Sequence, residues 1–142
     1  MEKFDKILII DDDHVNNFIF SKIIKSSGIS EDVETAMNGK SALKAINDTI
    51  AAKQKLPDII FLDINMPVMN GWQFLEKYKE LPECIKEHIK LYMLSSSVSH
   101  QDLEKAKEYE DVVDYISKPL TKEILHKIHT TQINKGSLNV QV

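Results

Sequence analysis

Two fully apolar stretches of this sequence each run straight into aspartate. Ile59-Ile60-Phe61-Leu62 ends in Asp63, and Ile7-Leu8-Ile9-Ile10 ends in Asp11-Asp12-Asp13. Two more apolar stretches end in groups that can work alongside a carboxylate. Leu91-Tyr92-Met93-Leu94 meets Ser95-Ser96-Ser97, and Val112 to Ile116 meets Ser117-Lys118-Pro119. Three acids gathered on one rim repel one another unless a cation sits among them. An oxygen-only cluster beside a single lysine suits Mg²⁺, which commonly takes one or two carboxylates and keeps several waters. A metal, a lysine and a small hydroxyl around one further carboxylate make a set for phosphoryl transfer. In that chemistry Asp63 is the nucleophile and an acyl phosphate is its product.

Such residues meet only if the chain brings those four ends to one place. A continuous apolar run bounded by Pro57-Asp58 and by Pro67 and Asn70-Gly71 reads as a strand buried on both faces, and Lys6 to Ile10 reads the same way. Between them, Val15, Phe18, Ile19, Ile23 and Ile24 recur at helical spacing, with Asp13 placed as the cap and Gly28 as the stop. Val33 to Ala36 is a short, polar edge strand, and Ala42, Leu43, Ile46 and Ile50 mark a second helix after the Asn38-Gly39 turn. A third helix carries Trp72, Leu75, Tyr78 and Lys79 and ends or bends at Leu81-Pro82. Ser99-His100-Gln101-Asp102 resembles a capping box that opens a fourth, charged helix through about Tyr109. Leu120, Ile124, Leu125 and Ile128 form a fifth, with Gly136 beyond its end and a frayed tail over 137–142. Strand and helix alternate five times, which predicts a parallel sheet with helices on both faces and every strand end on one edge. Ligands of open α/β sheets bind at that edge, where helix N-termini favour anions.

Composition narrows the classes. With 142 residues the chain makes one domain, 1–142,. A net charge of −4 without a block of like charge lacks the basic face of a nucleic-acid binder,. Cys84 is the single cysteine and cannot form an internal disulfide, which suits a reducing, cytoplasmic setting,. Ile7 to Ile10 is too short for a signal peptide, and no membrane association is expected.

Each piece of the constellation also has an ordinary explanation. Acids at strand ends are often helix caps, which is the better reading of Asp13, and Ser95 to Ser97 or Lys118-Pro119 are plain loop residues when taken alone. Their joint occurrence at the same end of successive strands is what argues for chemistry. The five histidines, His14, His88, His100, His126 and His129, share no metal-ligand arrangement and read as surface or satisfied side chains. Trp72 and Tyr78 read as packing, and Met66, Met69 and Met93 as filling.

The four motifs, in this order, resemble the receiver domain of two-component response regulators: Ile7 to Asp13, Phe61 to Gly71, Leu94-Ser95-Ser96, and Asp114 to Pro119. The resemblance covers residues 5 to 130 and is closest to stand-alone, chemotaxis-regulator-like receivers. It implies a flavodoxin-like (βα)5 three-layer sandwich with parallel sheet order 2-1-3-4-5. It also implies that Asp63 takes a phosphoryl group from a phosphohistidine of a histidine kinase or phosphotransfer protein. Asp12 then matches the direct Mg²⁺ ligand, together with Asp63 and the backbone carbonyl of Asn65, while Asp11 acts through a metal-bound water. Lys118 pairs with the phosphoryl oxygens, Ser95 is the switch hydroxyl, Tyr115 the switch aromatic, and Pro119 follows a cis peptide bond. Ser95 moving to the phosphoryl group vacates space for Tyr115 and reshapes the face of the fourth helix, fifth strand and fifth helix, where a partner protein reads it. On this reading the protein is no turnover enzyme beyond its own phosphoryl transfer and autodephosphorylation. With no output domain after the fifth helix, the expectation is a stand-alone regulator or phosphate shuttle that touches no nucleic acid directly. Dimerisation on phosphorylation, through the fourth-helix face, is left open.

Three departures stand out. Asp111 occupies a position where the family often has glycine, and a strained turn with φ > 0 is expected there. Ser96 replaces a common alanine, and residues 51 to 55 lengthen the second helix or its exit. Two rivals remain. Asp11-Asp12-Asp13-His14-Val15 fits the first motif of a haloacid-dehalogenase-type phosphatase using Asp11 and Asp13, but no acidic pair follows Lys118 and Asp63 is left idle. A receiver-like binding module without phosphorylation finds little support, since the required residues are all present.

Overall fold

A computed structural model describes the backbone of residues 2–96 and 99–141, and side chains as far as residue 133 within those segments. Five parallel strands, β1 (Ile7–Ile10), β2 (Val33–Ala36), β3 (Ile59–Asp63), β4 (Lys90–Ser95) and β5 (Val112–Ser117), form one sheet in the order β2-β1-β3-β4-β5. The helices are α1 (His14–Ser27), α2 (Gly39–Ala51), α3 (Gly71–Tyr78), α4 (Glu83–His88), α5 (His100–Ala106) and α6 (Lys122–Gln141). This is the flavodoxin-like doubly wound architecture. No helix among the described residues is long and apolar enough to cross a membrane.

The runs in β1, β3 and β4 are apolar throughout because alternate residues enter different cores. Ile7, Ile9, Ile59, Phe61, Tyr92 and Leu94 pack with Phe20 and Ile24 of α1 and Leu125 and Ile128 of α6. Leu8, Ile10, Ile60, Leu62, Leu91 and Met93 pack on the other face with Ala42 and Ile46 of α2, Phe74, Leu75 and Tyr78 of α3, and Ala106 of α5. Asp13 caps α1 by accepting from the Val15 and Asn16 amides, and Gly28 closes it in the left-handed conformation at φ 82°,.

Several expectations need correction. Residues 83–88 form a short helix between the third and fourth expected ones, so the expected fourth and fifth helices are α5 and α6. Pro82 begins α4 instead of merely ending α3; with no residue buried, α4 had no apolar periodicity to reveal it,. The last helix runs through Gly136 to Gln141, where Gly136 was expected to lie beyond its end; Val142 lies outside the described residues. Asp111 is not among the described non-glycine residues with positive φ, which are Lys53 and Val68. The buried line of α1 is Asn17, Phe20, Ile24 and Ser27, whereas Val15, Phe18 and Ile19 face solvent. That helix is apolar on two faces, and spacing alone could not say which one the sheet would take.

Candidate functional site

The parallel sheet delivers Asp11, Asp12, Asp63, Ser95 and Lys118 to one edge, each just past the apolar run that fixes its strand. Asp11 is fully buried. Its Oδ1 accepts the Asp13 amide at 3.0 Å and its Oδ2 accepts from Lys118 Nζ at 2.8 Å. Asp63, 5% exposed, lies 3.5 Å from the same Nζ through its Oδ1. Asp12 is exposed on the rim. Asn17 donates to the Asp11 carbonyl at 2.9 Å and so steadies the end of β1 from within α1. Sequence reasoning missed this residue, although a polar side chain on the buried line of an amphipathic helix was the available signal.

Lys118 directly follows β5, the peptide bond to Pro119 is cis, and the Lys118 amide donates to the Ser95 carbonyl at 2.8 Å. Burial alone would lower the lysine pKa. The hydrogen bond that Lys118 donates to Asp11 and the charges of Asp63 and Asp11 outweigh that and raise it. Burial pushes the Asp63 carboxyl up to about 6, with the Asp11 charge adding to the rise, while Lys118 and the Asn65 amide oppose it,. One lysine therefore does not neutralise the pocket.

Oxygens of Asp11, Asp12 and Asp63 all lie within 4.8 Å of one another. Three carboxylates and no nitrogen or sulfur donor fit a hard divalent cation such as Mg²⁺. Both oxygens of Asp11 are already engaged, which leaves Asp12 and Asp63 the freer donors. The side chain of Asn65 faces solvent. Asp13, the second acid of the phosphatase alternative, spends one carboxylate oxygen on the Val15 and Asn16 amides, at 2.9 and 3.2 Å. Nothing in the arrangement supports that alternative.

Ser95 is buried at the end of β4, and Tyr115 is half-buried on the neighbouring strand. The Tyr115 hydroxyl lies 3.4 Å from Oδ2 of Asp102 in the first turn of α5. In the sequence Asp102 is marked only as part of the capping box that opens this helix, and nothing there points to Tyr115. Behind the site, Gly71 begins α3 directly against the end of β3. A Cβ built there would come within 2.8 Å of the Asp63 carbonyl oxygen and 2.9 Å of Ile64 Cα, which only glycine avoids.

Residues 7–130 match the response regulator receiver domain. The crystal structure of a two component response regulator from Cytophaga hutchinsonii superposes with a TM-score of 0.86 at 34% identity, covering 94% of this chain and 99% of that one. Hybrid signal transduction histidine kinase B of Dictyostelium discoideum is 30% identical over 94% of this chain, which spans 7% of that protein's length. A protein-glutamate methylesterase/protein-glutamine glutaminase of Desulfotalea psychrophila is 35% identical over 94% of this chain, spanning 32% of its length. The chain thus spans less than a third of the first curated relatives it matches.

Proposed function

The chain belongs to the response regulator receiver family of two-component signalling, and from that premise we propose that Asp63 is the phosphoacceptor of a Mg²⁺-dependent switch. The observation that carries this reading is the convergence of the Asp11, Asp12 and Asp63 carboxylates on one lysine.

The donor is a phosphohistidine of a kinase or phosphotransfer protein. An ionised Asp63 oxygen attacks phosphorus, the N–P bond breaks, and the imidazole nitrogen keeps the electron pair. The lysine of the pocket, Lys118, draws in the phosphoryl oxygens and holds their charge in the acyl phosphate. Asp12, Asp63 and the Asn65 carbonyl would hold Mg²⁺, with Asp11 acting through a water. When bound, the ion neutralises charge that the carboxylates and the incoming phosphoryl group would otherwise leave uncompensated. Val15 and Phe18, 64% and 63% exposed, stand one turn apart with Ile19 at the start of α1, an apolar patch close to the acid cluster. A patch of this kind suits a protein donor better than a small molecule.

After transfer, Ser95 donates to a phosphoryl oxygen, Tyr115 moves into the space released, and the face of α5, β5 and α6 presents the result to a downstream protein. Moving that face from 1:99 to 99:1 requires about 5.5 kcal/mol of preference. Charge-assisted bonds to Ser95 and Lys118 supply a few kcal/mol of it. The chain releases no product other than by its own dephosphorylation, and the setting is cytoplasmic.

Incubation with acetyl phosphate tests the assignment. The wild type should take up one acid-stable, hydroxylamine-labile phosphoryl group in the presence of Mg²⁺ and none with a chelator. Asp63→Asn should take up none, and label at Asp11 would overturn the reading.

A further inference from the structure

Helix α5 is lightly held. It is seven residues long and Ala106 is its one buried residue. At its C-terminal end, Lys105 Nζ stands 4.7 Å over the ring of Trp72 in α3, and Trp72 stacks on Tyr109 at 5.9 Å. Toward its N-terminal end, the Tyr115 hydroxyl of β5 approaches Asp102 at 3.4 Å. An O–H···O⁻ bond is usually 2.5–2.7 Å, so this contact has room to tighten.

The phenol stands between two partners. Burial raises its pKa, a hydrogen bond with Ser95 opposes the rise, and the charges of Asp102 and Asp63 add to it. Ser95 has one hydroxyl proton to give. Once that proton goes to a phosphoryl oxygen on Asp63, the phenol loses this partner and keeps the ionised acceptor on α5. We propose that Asp102 is a positioning residue of the switch: it captures the Tyr115 hydroxyl when Ser95 leaves it, and thereby draws the start of α5 onto β5. This inference rests on the phosphorylation of Asp63 proposed above. By linkage, a contact that phosphorylation tightens must itself favour the phosphorylated protein.

Asp102 also sits in the first turn of α5, where an acid stabilises any helix. Tyr115→Phe separates the two roles, because it removes the contact and leaves that turn intact. Trp72 is the chain's single tryptophan and touches the far end of α5, so its emission reads the position of the helix. The test uses the full chain with acetyl phosphate and Mg²⁺, with phosphorylation of Asp63 followed on a phosphate-affinity gel. In the wild type the Trp72 emission should change as the phosphorylated band appears. At equal phosphorylation, Asp102→Ala and Tyr115→Phe should each remove at least half of that change, the double variant no more than the larger single one, and Asp102→Glu should retain most of it. A wild-type response in Asp102→Ala, additive effects in the double variant, or a phosphorylated wild type with unchanged emission would each overturn the proposal. A wild type that takes up no phosphate would show on the gel, and would sink the phosphorylation reading along with this one.

Discussion

Lys118 Nζ lies closer to Asp11, at 2.8 Å, than to the proposed phosphoacceptor Asp63, at 3.5 Å. The lysine is held chiefly by the fully buried acid at the end of β1, and from there it faces Asp63. Lys118→Met would leave Asp11 buried and uncompensated, a change that costs about 3 kcal/mol or more at neutral pH. Urea unfolding at pH 7 should show that loss, and at pH 4, below the raised Asp63 value of about 6, the part of the deficit due to the Asp63 charge should vanish,. An equal loss at both pH values would mean that the lysine acts through packing alone.

Nucleophilic attack needs an ionised Asp63, and its pKa is raised to about 6. Without Mg²⁺ bound, the deprotonated fraction falls as pH drops through that value. Phosphorylation by acetyl phosphate at low Mg²⁺ should therefore slow roughly tenfold for each unit below about pH 6. Saturating Mg²⁺ should move the inflection to lower pH, since a cation favours the ionised form. A rate that stays flat down to pH 4.5 at low Mg²⁺ would contradict the raised value.

The same shift bears on stability. The folded-state pKa lies above the ordinary value of 3.8. The contribution of this carboxyl to folding is therefore fully present below about pH 3.8 and lost as pH rises through about 6. At pH 7 the buried charge opposes folding. Asp63→Asn should then stabilise the metal-free protein by about 1–2 kcal/mol at pH 7, a gain that largely disappears near pH 4. Thermal unfolding at the two pH values, without divalent cations, measures it.

Asp13 caps α1 and takes no part in the carboxylate cluster. Asp13→Ala should lower stability by about 1 kcal/mol and leave phosphorylation of Asp63 intact. Loss of phosphoryl uptake in a folded Asp13→Ala protein would revive a catalytic role for that acid.

Val68, 77% exposed in the loop after β3, is held at φ 67°, a conformation that a β-branched side chain resists,. Val68→Asn should raise stability by about 1 kcal/mol, read as a higher Tm. No gain would mean that contacts of the valine side chain compensate for the backbone.

Much of this was legible in the sequence because each functional group follows an apolar run. The runs in β1, β3 and β4 fill two cores at once, which fixes them as central strands and fixes where they end. The acids, the serine and the lysine inherit their placement from that. Legibility stopped where a side chain is placed by tertiary packing. Helix α1 carries Val15, Phe18 and Ile19 on one side and Phe20 and Ile24 on another, and nothing local marks which side the sheet covers. Asn17 could have been noticed as a polar break in that line. The contact of Asp102 with Tyr115 could not, because the capping pattern says nothing of a tyrosine thirteen residues away on β5. Helix α4 buries no side chain and so left no pattern to find.

The missing side chain at Gly71 sets which parts of the site are free to move. With the first residue of α3 resting on the carbonyl of Asp63 and its amide donating to the Ile64 carbonyl at 2.8 Å, α3 and the end of β3 are joined backbone to backbone. That junction behaves as an anvil: it offers no slack for a neighbouring rotamer to take up. Any displacement produced at the carboxylate must then travel through the opposite wall, where β4, β5 and the lightly anchored α5 can yield.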